Sequence, residues 1–294
     1  MTETRCGYIS LIGRPNVGKS TLLNALLGEK VAIVSPKPQT TRNRVTGIRT
    51  MPSAQLIFVD TPGIHKPRHK LGEKMVRQAT ETLRDVDVVL FIVEPAEPTA
   101  GDRAVIETLS GLNRPVCLVI NKIDTVKKPA ILPLIETYRK LHPFRAIIPV
   151  SALEGDGVAK IIDILLPMLP AGPKMFPDDI MTDQIERFMV AEAVREKIMQ
   201  QTSDEIPHAV AVEVLTWKEQ KDGLIVIQAN IYVERDSQKG IIIGKNGAKL
   251  KAIGSAARAD IEHFLGTKVF LELWVKVRRG WRDDEQALKD LGFE

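Results

Sequence analysis

Residues Gly13-Arg14-Pro15-Asn16-Val17-Gly18-Lys19-Ser20 spell the pattern G-x-x-x-x-G-K-[ST]. The chemistry of that spacing is phosphate binding. Its glycines let the backbone curl so that N–H groups face a run of phosphates, helped by the positive end of a following helix. Gly13, Asn16, Val17, Gly18, Lys19, Ser20 and the adjoining Thr21 are therefore expected to line a nucleotide's phosphates. Lys19 can reach the β- and γ-phosphates, and the Ser20 hydroxyl can bind Mg²⁺. Downstream, Asp60-Thr61-Pro62-Gly63 offers a carboxylate for the Mg²⁺ site and a Gly63 N–H for the terminal phosphate. Asp-x-Pro-Gly also forms ordinary turns, but its position after a phosphate loop favours the functional reading.

Asn121-Lys122-Ile123-Asp124 points to the base. The Asp124 carboxylate can accept two hydrogen bonds from guanine's ring N–H and exocyclic amine. Adenine lacks that donor pair and would leave a buried acceptor unpaired. The Lys122 stem can lie along the base, Asn121 can tie the loop together, and Ser151-Ala152-Leu153 can present a backbone N–H to guanine O6.

Such residues work only at the ends of elements that hold them still. Residues 7–13, 54–60, 86–94, 115–121 and 145–151 are short, nearly continuous apolar runs rich in Val and Ile. They read as parallel strands buried on both faces, with 45–50 as an antiparallel edge strand. Helical patterns fall at 19–27, 72–84, 102–112, 129–141 and 158–166. This alternation predicts an α/β domain with a mostly parallel sheet, and it sets every motif at a strand end. Pro167, Pro170, Pro173 and Pro177 then break the pattern, placing a linker at 171–181 between domains 1–170 and 182–294.

Beyond the linker the rhythm is α-β-β-α-α-β, a smaller α+β domain. A helix is expected at 183–201, capped by Thr182 or Asp183, then strands at 209–216 and 224–232 about a turn at Asp222-Gly223. A helix at about 247–265 and a strand at 268–277 complete it. Between its last two helices lies Gly244-Lys245-Asn246-Gly247, a turn bare enough for a nucleic-acid backbone to approach. Lys245, Asn246, Lys249 and Lys251 supply charge and hydrogen bonds there. Ile241, Ile242, Ile243, Leu250 and Ile253 are expected to divide between core and groove, and Val210, Val212 and Val214 to face the core. Trp281, in the basic run ending at Arg282, suits either stacking on RNA or packing of a solvated tail. Charge is polarised: residues 235–282 carry eleven basic against four acidic side chains, whereas 181–234 carry five basic against ten acidic. One face is thus suited to phosphates and another is not.

Across about residues 5–170 the chain resembles the Ras-like P-loop GTPases, and across about 182–280 the KH domain. The pair together resembles the bacterial Era GTPases over nearly its whole length. The resemblance implies a GTP-hydrolysing switch that uses GTP, GDP and Mg²⁺. It would bind 16S ribosomal RNA near its 3′ end and assist assembly of the 30S subunit. It implies a switch-I threonine that reads the γ-phosphate and Mg²⁺, here Thr41 or the adjacent Thr40, and metal ligation by Ser20, Thr41 and Asp60. Loops 31–45 and 63–72 would order with GTP, and Lys19, Thr41, Asn16 and Gly63 would carry the catalytic work. Many relatives have a water-positioning glutamine where this chain has Ile64. An alkyl group cannot orient water, so slow intrinsic turnover is expected. Relatives with that substitution and an asparagine at the Asn16 position resemble the potassium-assisted class, in which Asn16 would help hold a K⁺. Asn16 can also be present because it tolerates the loop geometry. His65 is expected to be a solvated loop residue.

The composition fits this picture. With 44% apolar, 27% charged and 5% aromatic residues over 294 positions, the chain has the profile of a soluble globular protein of two domains. No apolar run approaches the roughly 20 residues of a membrane span. Met1-Thr2-Glu3-Thr4-Arg5-Cys6 lacks a signal pattern, and Leu291-Gly292-Phe293-Glu294 carries no prenylation cysteine, so a cytoplasmic location is expected. The family also implies peripheral association with the inner membrane, and a monomer is expected. Cys6 and Cys117 are the only cysteines, too few for a thiolate zinc site, and are expected to be buried free thiols. The absence of a second phosphate motif, and of a cysteine after Cys117, argues against a double GTPase and a tRNA-modifying enzyme.

Overall fold

The computed structural model describes residues 4–203 and 206–293. Met1, Thr2, Glu3 and Glu294, on which the reading of the chain ends partly rests, lie outside the described residues. The chain divides into two compact units. One takes in the chain up to Val34, Gln39–Pro67 and Gly72–Asp183, and the other Ser35–Pro38, Arg68–Leu71 and residues from Gln184 onward.

The first unit is a six-stranded sheet in the order β2-β3-β1-β4-β5-β6. Its strands are β1 (Arg5–Ile12), β2 (Val45–Met51), β3 (Ala54–Asp60), β4 (Val88–Val93), β5 (Val116–Ile120) and β6 (Ala146–Pro149). All neighbours run parallel except β2, which pairs antiparallel with β3 as the edge strand. Every residue of β3, β4 and β5 is buried, which is why those segments show no alternation. The helices are α1 (Lys19–Leu27), α2 (Lys70–Thr82), α3 (Ala100–Leu109), α4 (Ile131–Arg139) and α5 (Val158–Leu165). Helices α2, α3 and α4 start and stop up to three residues from the expected bounds. At α3 the reason is a capping box, in which Thr99 and Asp102 satisfy each other's backbone N–H groups. Strand order reverses beside β1, with β3 on one side and β4 on the other. The loops after β1, β3, β5 and β6 therefore open at the carboxyl edge, where sheets of this type bind ligands.

The proline-rich stretch is docked against this unit. Arg5 forms an antiparallel bridge with Ala171, and the buried Gln55 side chain accepts from Met175 N (2.8 Å) and Phe176 N (3.0 Å). Ile48 N donates to Met181 O at 2.8 Å, and Thr182 Oγ1 donates to Thr46 O at 2.6 Å. The helix expected at 183–201 accordingly begins later, at Glu186, with Ile185 as its N-cap and no side-chain cap. Neither Thr182 nor Asp183 is its cap.

The second unit has three strands ordered β7-β8-β9: β7 (Ala211–Glu219), β8 (Ile225–Val233) and β9 (Val269–Val277). The β7–β8 pair is antiparallel and the β8–β9 pair parallel. Its helices are α6 (Glu186–Gln201), a short α7 (Ile206–Ala209), α8 (Asp236–Ile243), α9 (Ala248–Leu265) and a terminal α10 (Glu285–Asp290). Val190, Val194, Ile198, Ile227, Ile231, Ile242, Ile253 and Ile261 form its core, against which Val212 and Val214 pack. Trp281 is fully buried, donates Nε1–H to Ala209 O at 3.0 Å and stacks on Phe293, so it packs the fold and cannot stack on RNA. Both cysteines are buried free thiols. Among the described residues no helix is long and apolar enough to cross a membrane.

Candidate nucleotide site and helix-turn groove

The loop after β1 closes tightly over the first turn of α1. Gly18 has φ +93°, and a Cβ there would fall 2.3 Å from Asn121 Nδ2. A Cβ at Gly63 would lie 2.6 Å from Pro15 N. Both positions are glycine because backbone or a loop-tying amide fills the space. Asn16 has φ +67°, a left-handed conformation that asparagine tolerates better than most residues. Thr21, half-buried, continues this loop into α1.

Lys19 is buried, and its ammonium donates to Arg14 O at 3.0 Å and Gly13 O at 3.3 Å. Burial lowers its pKa to about 8, an effect that the Asp60 carboxylate only partly offsets. A cation held so far from water is primed for an anion, because phosphate oxygens return the stabilisation that solvent no longer gives.

Three oxygen-bearing side chains expected at the metal converge. Ser20 Oγ donates to Asp60 Oδ2 at 2.6 Å, Thr41 Oγ1 donates to the same oxygen at 3.1 Å, and the two hydroxyls are 2.8 Å apart. It is Thr41 whose hydroxyl joins this cluster. Asp60 is fully buried, its Oδ1 has no hydrogen-bond partner, and burial raises its pKa against the pull of Lys19. An orphaned carboxylate oxygen beside two hydroxyls is a hard-oxygen donor set of the kind Mg²⁺ prefers, so the residues present fit the ion.

At the base end Asn121 is buried and joins three loops. Its Nδ2 donates to Val17 O at 2.9 Å and its Oδ1 accepts from Ala152 N at 3.0 Å. Ser151 Oγ donates to Asp124 Oδ1 at 2.5 Å, which orients the carboxylate. Lys122, at φ +62°, sends its ammonium to Asn16 O at 2.7 Å. Thus the fourteen residues expected to line the nucleotide lie at one sheet edge, on the loops that open there, at the end of β3 and in the first turn of α1.

In the second unit Gly244 (φ +71°), Asn246 (φ +51°) and Gly247 (φ +76°) turn the chain from α8 into α9. Lys245, Asn246 and Lys251 are exposed, while Lys249 backs the turn, its Cβ lying 2.7 Å from where a Gly244 Cβ would be. Beside the turn is a groove of about 390 Å³ between α9 and the β9 edge. Gly247, Leu250, Lys251, Gly254, Arg258 and Leu273 are among its lining residues. Of the five apolar residues left open by the sequence, Ile242 and Ile253 are core and Ile241 is exposed. Ile243 and Leu250 are half-buried, and Leu250 faces the groove.

Comparison with known proteins agrees with both sites. A family model described as a 50S ribosome-binding GTPase matches residues 8–122, and a KH domain model matches residues 205–282. The chain is 56% identical to GTPase Era of Geobacter metallireducens, with 98% of each chain covered. It is 51% identical to GTPase Era of Staphylococcus haemolyticus, over 100% of this chain and 98% of that one. The chain belongs to the Era GTPase family. Two solved structures, each 43% identical and covering 99% of both chains, superpose on it. One is Era in complex with MgGDPNP and nucleotides 1506–1542 of 16S ribosomal RNA, with a TM-score of 0.96. The other is a variant of Aquifex aeolicus Era bound to GDP·AlF4⁻, with a TM-score of 0.95.

In this Era-family GTPase, Ile64 is half-buried against the sheet core and its N–H donates to Gly13 O at 3.2 Å. His65 is not the solvated residue its loop position suggests. Its Nδ1 lies 2.8 Å from Gly63 O and its Nε2 lies 3.1 Å from the Gln39 side-chain amide, linking the two switch segments. Gln39 carried no signal beyond its place in the switch. Nor did Gly254, Arg258 and the β9 edge announce the groove. The amphipathic count along α9 gives a core face and an exposed face, but not the boundary that β9 meets.

Proposed function

We propose that the GTPase cycle of this chain is run by the residues gathered at the carboxyl edge of the sheet, and that it governs RNA binding by the second unit. Gly13, Asn16, Val17, Gly18, Lys19, Ser20 and Thr21 wrap the phosphates, and Asp124, Asn121, Lys122, Ser151 and Ala152 select guanine. Ser20, Thr41 and Asp60 hold Mg²⁺, which supplies charge neutralisation at the β- and γ-phosphates. Gly63 and Thr41 sense the terminal phosphate, so both switch segments follow the nucleotide state. With Ile64 in place of a water-orienting amide, turnover is slow, and a K⁺ held with Asn16 supplies part of the missing positive charge.

The RNA is single-stranded and enters the groove beside Gly244–Gly247, where Lys245, Asn246, Lys249 and Lys251 meet its backbone. The observation that carries this reading is the basic, glycine-turned groove between α9 and β9. The related Era complex, which contains MgGDPNP and 16S nucleotides 1506–1542, supports the same RNA for this chain. The RNA partner of the switch is the 3′ region of 16S ribosomal RNA, and the process is assembly of the 30S subunit. The protein works as a cytoplasmic monomer that meets the inner membrane only at its surface.

Fluorescence anisotropy with a short single-stranded RNA from the 16S 3′ end tests the site. Binding should be lost with a scrambled RNA and in a Gly244→Asp/Gly247→Asp variant that still binds GDP. Equal binding of both RNAs, or an undiminished double variant, would refute it.

A further inference from the structure

Glu94 follows directly on β4 and belongs to none of the nucleotide motifs, yet it lies between two of them. Its Oε1 accepts from Lys122 Nζ at 2.6 Å, and its Oε2 lies 3.7 Å from an Arg14 guanidinium nitrogen. Lys122 donates from the same ammonium to Asn16 O in the phosphate loop at 2.7 Å. Arg14 is itself anchored, with Nε donating to Asp102 Oδ1 at 2.8 Å. Asp102 is buried, and its other oxygen accepts from Thr99 N at 2.9 Å and Thr99 Oγ1 at 2.6 Å. One carboxylate thus draws in a cation from the base loop and a cation from the phosphate loop.

We propose that Glu94 is a positioning residue for guanine nucleotide, fixing the Lys122 ammonium so that its stem stays along the base while tying the base loop to the phosphate loop. The inference rests on the nucleotide site proposed above. Lys122 has a left-handed backbone conformation at the end of β5, so its side chain leaves the loop in one direction, and its terminal nitrogen decides where the stem lies. Asn16 O fixes that nitrogen from one side and Glu94 from the other. The contact engages Lys122 of the base loop, common to GDP and GTP, and shares no hydrogen bond with the Ser20–Thr41–Asp60 cluster. Its loss should therefore weaken both nucleotides alike, as the loss of uniform binding does.

The test is the dissociation rate of fluorescent GDP and of a fluorescent non-hydrolysable GTP analogue from the full-length protein, in wild type, Glu94→Ala and Glu94→Gln. Glu94→Ala should release both nucleotides about five- to tenfold faster, a size suited to a half-exposed charged pair. Glu94→Gln, which keeps an oxygen for Lys122 but no charge, should fall between it and wild type. Added salt should narrow the difference between wild type and Glu94→Ala, because it screens the half-exposed pair. In steady state the variants should raise KM with little change in kcat, at an unaltered melting temperature. Wild-type dissociation rates in Glu94→Ala, or faster release of one nucleotide only, would overturn the proposal, as would a fall in kcat matching the rise in KM. Failure of the wild type to bind either nucleotide would instead overturn the site reading on which it rests.

Discussion

Gly254 lies in the middle of α9, with its missing side chain facing the groove that we assign to RNA. A Cβ added there would meet Leu273 Cδ1 at 3.4 Å, ordinary van der Waals contact, and nothing else within 4 Å beyond its own turn of helix. The helical backbone at Gly254 needs no positive φ. Glycine in a helix interior costs about 1 kcal/mol relative to alanine, through the entropy of the unfolded chain. Gly254→Ala should therefore stabilise the second unit by about 0.5–1 kcal/mol, roughly 3–6 °C in the melting temperature of a domain this size. The same methyl narrows the groove floor and should weaken RNA binding by about 1 kcal/mol, near fivefold. Gly254→Leu carries three further carbons into a groove of about 390 Å³ and should abolish binding. Stability and affinity thus move in opposite directions at one atom. Scanning calorimetry and anisotropy with the 16S-derived RNA measure the two. A destabilised Gly254→Ala protein would refute the packing argument, and RNA bound equally well by Gly254→Leu would refute the groove assignment.

Three further predictions follow from the nucleotide site. Lys19 has its pKa lowered from 10.5 to about 8 by burial. Its charged form therefore costs about 3 kcal/mol of stability below pH 8, a cost relieved as pH rises from about 8 towards 10.5. Lys19→Met should raise the melting temperature of the nucleotide-free protein while abolishing GTP binding. In the wild type at pH 9, nucleotide binding should take up close to one proton, measured by calorimetry in buffers of different ionisation enthalpy, and no uptake would contradict the assignment. Asp124→Asn replaces a double acceptor by a group with one acceptor, so guanine should lose about 3 kcal/mol of affinity, while xanthine, whose exocyclic C2 carbonyl can accept from the amide N–H, should gain. Unchanged guanine affinity in equilibrium titration would exclude Asp124 as the reader. Asn16→Gly preserves the left-handed φ while deleting the side chain. Hydrolysis should be faster in KCl than in NaCl for the wild type and equally slow in both for the variant, and equal wild-type rates would remove K⁺ from the account.

The strands and the Gly13–Ser20 and Asn121–Asp124 motifs were legible in the sequence because each is written in consecutive residues, whereas Thr41 entered only through the family resemblance. Sheet order then brings the strand ends to one edge, so Ser20, Thr41 and Asp60 meet although they lie on three segments. Illegible features depend on contacts between distant positions that have no local pattern. Glu94 reaches Lys122 only because β4 and β5 are neighbours. Trp281 is core only because Ala209 O and Phe293 close around it. Thr182 has the residue type of a helix cap but bonds Thr46 O instead. Residues 171–181, expected as a linker, carry no helix or strand and are grouped with the first unit, docked through the buried Gln55 amide, an ordinary strand residue by sequence. His65 was expected to be solvated because a loop histidine gains partners only when the facing loop supplies them, here the Gln39 side chain.

The claim that nucleotide state governs RNA binding is tested most directly by titrating the 16S 3′-end RNA into the wild-type protein loaded with a non-hydrolysable GTP analogue and, separately, with GDP. Tighter binding to the GTP-analogue form, lost in the Gly244→Asp/Gly247→Asp variant, is the predicted result. Equal affinity in the two states would contradict it.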